Sequence, residues 1–200
     1  MMNKFLFLTM MASCCLSCTA QDITLPQPNK TGGKPLMEAL SERQTSRNFI
    51  DKDLDEQTLS DLLWAAYGFN RADKRTAPSA NDKQEFILYA VLKSGVYVYD
   101  AKANSLILKV KGDFRAKTGK QDFVAVAPLN IVFVVDATKS NPEYAATDAG
   151  YISQNIYLYC ASAGLGTVVR GWFDKEEVKA ALQLSETEVP TLTQTVGYKK

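Results

Sequence analysis

The chain has 200 residues, with 23 Lys plus Arg against 22 Asp plus Glu, and it contains no histidine. The absence of histidine excludes Ser-His-Asp and Cys-His catalysis and histidine metal sites. A net charge this close to zero argues against sequence-independent nucleic-acid binding, which needs a basic face. The length suits one domain with a sizeable core.

Residues 1–20 read as an export leader. Lys4 precedes the apolar stretch Phe5 to Ala12, the order of a basic n-region and a short h-region. Polar residues interrupt that stretch well before the ~20 apolar residues of a membrane span. Two processing routes fit. Leu16-Ser17-Cys18 resembles a lipobox, which would make Cys18 a lipid anchor, and Cys18-Thr19-Ala20 offers small residues for ordinary cleavage before Gln21. Losing Lys4 with the leader takes the basic count from 23 to 22, equal to the 22 acidic residues. Three of the four cysteines, Cys14, Cys15 and Cys18, lie in the leader. Cys160 remains, so no intramolecular disulfide is expected even in an oxidising compartment. Its apolar helical surroundings suit a buried thiol rather than a nucleophile. The chemistry of such a chain falls to a bound cofactor.

After the leader, Gln21 to Lys34 is polar and rich in Pro and Gly, as in a tether. A first helix is expected from about Pro35 to Arg43. A second runs from about Asp55 to Tyr67, with Leu59, Leu62, Leu63 and Ala66 at helical spacing and Gly68 as its stop. Beyond the turn Pro78 to Asn81 the pattern becomes that of strands: Phe86–Leu92, Val96–Asp100 after a glycine turn, and Ser105–Val110. Leu129–Asp136 is an unbroken apolar run, the mark of a strand buried on both faces. A long helix follows from about Pro142 to Ala163, stopped by Gly164. The strand Thr167–Val169, the helix Lys175–Leu182 and a strand near Leu192–Val196 close the chain. Together these predict an α+β domain over 35–200, with a central, mainly antiparallel sheet packed between helices.

Three segments carry functional signal. In Arg43-Gln44-Thr45-Ser46-Arg47, an extended backbone would put Arg43, Thr45 and Arg47 on one face. Two guanidinium forks and a hydroxyl suit a phosphate monoester. A helical backbone would turn Thr45 away and leave a solvated charged helix end. In Arg75 to Gln84, Pro78-Ser79-Ala80-Asn81 reads as a turn whose free N–H groups could meet a planar polar ligand, or as a plain capped loop. The third segment runs from Ala163 to Trp172. Its Gly164-Leu165-Gly166 follows a helix and precedes a strand, the reverse of the dinucleotide fingerprint. Gly112 to Lys120 is not a Walker A loop, since Phe114 stands at the earlier glycine position and Gln121 replaces Ser/Thr.

These segments, with Ala127-Pro128 and Gln154-Asn155, resemble in order and spacing the nitroreductase family of FMN-dependent oxidoreductases. The likeness is nearest its SagB-type dehydrogenase-like branch and covers about Pro35 to the C-terminus. The resemblance implies an intertwined homodimer with FMN at the subunit interface. Carried over, Arg43, Thr45 and Arg47 would hold the phosphate and ribityl chain, with Lys199 or Lys200 near the phosphate. Ser79, Asn81, Asp82 and Gln84 would approach the ribityl chain and isoalloxazine, and Arg170 and Gly171 would approach the flavin from the strand side. No side chain is expected to be catalytic, because the flavin carries hydride at N5. Asp82 stands where relatives often carry Asn, and a carboxylate there would disfavour negative charge on a nearby flavin.

The resemblance implies transfer to a small acceptor, such as a nitroaromatic or quinone-like compound, with NAD(P)H as electron donor. An exported location, where nicotinamide donors are scarce, points away from that donor. A flavin-binding or flavin-less envelope module without redox turnover is the competing function, and an azoline-oxidising dehydrogenase ranks third.

Overall fold

The computed structural model describes residues 21–200. The expected leader, with Cys18 and its two processing routes, lies outside the described residues. In chain order the elements are β1 (Ile23–Thr24), α1 (Leu36–Glu42), α2 (Glu56–Tyr67), β2 (Phe86–Leu92), β3 (Gly95–Asp100), β4 (Ser105–Lys111), α3 (Phe123–Val126), β5 (Leu129–Asp136), α4 (Pro142–Ala163), β6 (Leu165–Arg170), α5 (Lys175–Leu182) and β7 (Glu188–Tyr198). Short 3-10 turns at Ala80–Asp82 and Arg115–Thr118 complete the order.

One seven-stranded sheet forms in the order β1-β4-β3-β2-β5-β7-β6, and every pairing is antiparallel. Period-two alternation divides its side chains between two cores. Leu88 and Ala90 of β2 and Leu129, Ile131 and Phe133 of β5 join Leu62, Leu63 and Ala66 of α2 and Ile152 and Ile156 of α4. Tyr89 and Val91 of β2 and Val132 and Val134 of β5 meet Val178 and Leu182 of α5 on the other face. The α+β arrangement of an antiparallel sheet between helices is therefore the one adopted, and β5 is buried on both sides as its apolar run predicts.

Helix ends follow their capping residues. Asp55 accepts from Thr58 N–H at 2.7 Å to start α2, and Asn141 accepts from Glu143 N–H at 3.0 Å to start α4. Gly164 ends α4 in the left-handed region at φ 72°. Gly68 ends α2 for a different reason. Its φ is −71°, but a Cβ there would lie 2.3 Å from the Trp64 ring.

Two expectations are corrected. The closing strand is eleven residues long rather than a short run near Leu192–Val196, although Pro190 lies within it. A register shift opposite Phe133 and Val134 accommodates that proline, and the Thr191 hydroxyl donates to the Phe133 carbonyl at 3.0 Å. The segment 21–34 is not a free tether. Ile23 and Thr24 pair with β4, Leu25 is buried, Asn29 bonds to Asp61, and Lys34 N–H donates to Ser162 Oγ at 2.8 Å. The segment is docked by these few bonds while most of its residues stay exposed.

Asn104 holds this segment in place. Its Nδ2 donates to the Pro26 carbonyl at 2.7 Å and to Ser60 Oγ at 2.9 Å, its Oδ1 accepts from Tyr99 at 3.2 Å, and its backbone is left-handed at φ 49°. Asn104→Gly relieves the backbone while deleting the side-chain bonds. A net loss of about 2–3 kcal/mol is expected in urea unfolding, from buried groups left unpaired. Parent-like stability would show that Asn104 does not fasten the segment.

Candidate functional site

The first half of the site is built on the outer edge of the sheet. Helix α1 ends at Glu42, Arg43 leaves the helix at φ −56° and ψ 120°, and 44–47 is not helical, which removes the helical backbone of the two open to the sequence. Ser46 N–H donates to the Thr167 carbonyl of β6 at 2.9 Å. Tyr157 of α4 accepts from Val169 N–H at 3.1 Å, and its hydroxyl lies 3.1 Å from Thr45 Oγ1. The Arg43 guanidinium lies over the Tyr157 ring at 5.3 Å. Arg43 and Thr45 therefore share one buried anchor.

Lys199 joins them from the other end of the chain. Phe49 and Lys199 form an antiparallel bridge, and Lys200 N–H donates to the Asn48 carbonyl at 3.1 Å. A Cβ on Gly166 would lie 3.1 Å from Ser46 and 3.2 Å from Lys199 Cγ, so both side chains cross the bare glycine backbone. Among the described residues, no carboxylate pairs with Arg43, Arg47 or Lys199. Arg47 and Lys199 are exposed.

The second half is the loop before β2. Asn81, Asp82 and Gln84 all have positive φ, at 52°, 56° and 48°. Three non-glycine residues in that region within four positions make a strained turn, and a dense network holds it. Gln84 N–H donates to Ser79 Oγ at 2.9 Å, Arg75 Nε donates to Gln84 Oε1 at 3.0 Å, and Gln84 Nε2 donates to the Asp73 carbonyl at 2.7 Å. Lys74 pairs with the Asp82 carboxylate. That bond, with one from Gln84, pulls the Asp82 pKa below the usual carboxylate range. Behind the loop, Ala80 N–H donates to Asp148 of α4 at 2.9 Å. Beside it, Phe69, Arg75, Lys83, Gln84, Lys102 and Lys139 line part of a cavity of about 440 Å³.

The two halves sit on opposite sides of one helix. Asp148 and Tyr157 are nine residues apart, about 14 Å along the α4 axis and half a turn round it. Gly171 is exposed with open space where a Cβ would stand, next to a largely exposed Trp172. Arg170 is not brought to either surface. It is 5% exposed, and its guanidinium donates to the Thr118 carbonyl at 3.0 Å, Asn130 Oδ1 at 3.1 Å and Thr195 Oγ1 at 2.9 Å. Burial without a carboxylate partner pushes its pKa down to about 10, which leaves it cationic at neutral pH. Cys160 is buried, and burial pushes its thiol up and out of the nucleophilic range. Among the described residues no group of acidic, histidine or cysteine side chains suits a metal, and no helix is long and apolar enough to cross a membrane.

Sequence reasoning missed Ser46, Tyr157 and Asp148. Tyr157 and Ser46 carry no signal of their own, because their roles arise from where β6 ends up. Asp148 does carry one, as a carboxylate set among the buried Ala145, Ala149 and Ile152 of α4.

Comparison with known proteins places these features in context. The Nitroreductase family matches residues 40–198. A candidate nitroreductase of Methanocaldococcus jannaschii is 28% identical over 182 residues, covering 82% of this chain and 91% of that protein. The crystal structure of a candidate nitroreductase from Ralstonia eutropha is 42% identical, with a TM-score of 0.86 and 92% of each chain covered. An FMN-dependent nitroreductase of Clostridium difficile shares the fold at 19% identity and a TM-score of 0.60, over 82% of this chain and 87% of that one.

Arg170 provides the test of this geometry. Arg170→Ala strands the Thr118 carbonyl and opens a cavity, so a loss of about 3 kcal/mol in urea unfolding is expected. A loss below about 1 kcal/mol would contradict a structural role for the guanidinium.

Proposed function

The chain belongs to the nitroreductase family, and we propose that it is an FMN-dependent oxidoreductase of that family acting on a small electron acceptor. When bound, FMN would supply hydride transfer through N5, to a nitroaromatic or quinone-like compound for example. The single observation that carries the proposal is that the sheet edge at β6 carries Arg43, Thr45 and Arg47 on one segment and Lys199 on the strand end beside it, with no carboxylate partner for the three cations among the described residues. Unpaired cations around a hydroxyl match the charge and acceptors of a phosphate monoester. The residues present therefore fit the cofactor.

The chain's own groups bind, orient and tune. Arg43, Arg47 and Lys199 neutralise the phosphate, and Thr45, held by Tyr157, adds a hydroxyl. Ser79, Asn81, Asp82 and Gln84 present a rigid polar loop to the ribityl and ring atoms, and Gly171 leaves room for close approach. Lys74 offsets the Asp82 charge, which removes much of the penalty that a bare carboxylate would impose there.

Two copies would complete the site. One protomer keeps its cationic half and its loop half on opposite sides of α4, so a neighbouring chain is needed to face one with the other. Leu36, Met37 and Leu40 of α1, Tyr144 and Tyr151 of α4, and Trp172 are exposed apolar groups suited to that contact. A homodimer follows as part of the proposal, with a position nearest the SagB-type branch supported by the motif order. The leader pattern supports export, with Cys18 as a lipid anchor under one processing route. NAD(P)H remains the donor that the family suggests.

The purified protein is expected to be yellow, dimeric by sedimentation, and to hold one FMN per chain. Replacing both Arg43 and Arg47 with Ala should weaken FMN binding by about 100-fold or more, from two lost charge-assisted contacts. Parent-like binding by the double variant would overturn the phosphate assignment. Colourless protein that cannot be reconstituted would favour the non-redox binding module.

A further inference from the structure

Directly behind the strained loop lie two buried carboxyl groups that the cofactor reading does not use. Glu85 is 2% exposed and Asp148 3% exposed, and their side chains lie within hydrogen-bonding reach of each other. Asp148 Oδ2 accepts from Ala80 N–H. Glu85 Oε2 is buried with no donor near it. A carboxylate oxygen in that position would forfeit its hydration without replacement, at a cost several times that of a satisfied group. A protonated oxygen is a donor instead, and the acceptor beside it is Asp148. Tyr67 of α2 is also buried with an unpartnered hydroxyl. Burial raises its pKa to about 12, against an opposing pull from Arg75, while the nearby Glu85 and Asp148 raise it further.

We propose that Glu85 and Asp148 share one proton and form an acid latch whose positioning residue, Asp148, holds the Ser79–Gln84 loop through the Ala80 amide. The loop is strained at three residues, so it needs such a tether to keep its shape. Burial, with Asp148 adding to it, raises the Glu85 pKa above the ordinary carboxylate range. The charged or titratable groups around the pair are Tyr67 of α2 and Arg75 of the preceding loop. Arg75 is occupied by the Tyr67 carbonyl, Gln84 and the rings of Tyr67 and Phe69.

The sign follows from linkage. Below the ordinary carboxylate range both folded and unfolded chains hold the proton, so Glu85 costs nothing there. As pH rises past that range the unfolded chain releases the proton first, and stability falls until the raised folded value is passed. Beyond it, two buried carboxylates repel and Asp148 is drawn from Ala80. This rests on the cofactor assignment only in giving the loop a ligand to position. The latch itself is a property of the protein without cofactor.

The test uses the full chain without and with FMN. Without it, infrared spectra at neutral pH should show the C=O stretch of a protonated carboxylic acid that Glu85→Gln removes. By NMR, the protection factor of the Ala80 amide should fall about tenfold or more as pH is raised from the ordinary carboxylate range through the raised Glu85 titration. It should stay flat in Glu85→Gln and be lost at every pH in Asp148→Ala. Asp148→Asn keeps an acceptor and should restore protection with a flat profile. FMN affinity should follow the same pattern across the variants. If Asp148→Ala does not fold, judged by circular dichroism, the Glu85→Gln and Asp148→Asn profiles decide. The proposal is overturned if the acid band is absent, or if Glu85→Gln keeps the parental pH profile. Retained Ala80 protection in Asp148→Ala overturns it too. Failure to bind FMN with an intact latch would sink the cofactor reading alone. FMN binding with no latch would sink the latch alone.

Discussion

The outer edge of β6 sets the terms for the rest of the molecule. An edge strand leaves a row of N–H and C=O groups that must be satisfied or shielded. Among the described residues no further strand pairs with it. Ser46 N–H fills the Thr167 carbonyl and the Tyr157 hydroxyl fills the Val169 amide. Closing the edge is therefore the same event as laying the non-helical segment 43–47 against β6. Gly166 makes the approach possible by removing the Cβ that Ser46 and Lys199 would meet. The cations are held by backbone pairing rather than by partners of their own charge, so their charge stays available to a ligand.

Helix α4 extends that logic to the loop. Its apolar positions close the core against β5 and α2, and its two polar anchors serve opposite sides, Tyr157 the sheet edge and Asp148 the loop. A polar group in a helix core is costly unless fully bonded. Each anchor accepts from a backbone amide, Val169 for Tyr157 and Ala80 for Asp148, which fits rigid placement of a segment better than bulk stability.

Much of the architecture was legible because its signals are local. The α2 and α4 boundaries follow from capping residues and helical spacing, and β5 from an apolar run that only two-sided burial explains. The extent of β7 was not legible, since Pro190 reads as a strand breaker until its bulge opposite β5 is seen. The segment 21–34 was misread for a related reason. Pro, Asn and Gly describe a tether or a docked irregular strap equally well, and Asn104 and Asp61, far away in sequence, decide between them. For the candidate site, the residue set around Arg43 emerged from motif order. Spacing alone could not choose between extended and helical backbones, because a long-range bond to β6 makes that choice. Arg170 marks the limit of carrying residues over by position. A guanidinium beside a glycine reads as ligand-facing, yet strand alternation turns it inward among Thr118, Asn130 and Thr195.

Charge is distributed unevenly between the halves of the site, and the unevenness has a physical use. The edge half gathers Arg43, Arg47 and Lys199 without a compensating carboxylate among the described residues, which raises the local potential where a dianion would sit. In the loop half Lys74 pairs with Asp82, while Arg75 donates to the neutral Gln84 side chain and the Tyr67 carbonyl and keeps its charge. The Asp82 carboxylate, set against a flavin by sequence position alone, is then better understood as one side of an ion pair that braces a strained turn. Paired with Lys74 it adds little net field of its own, and a third left-handed residue, Gln84, is held by the same network.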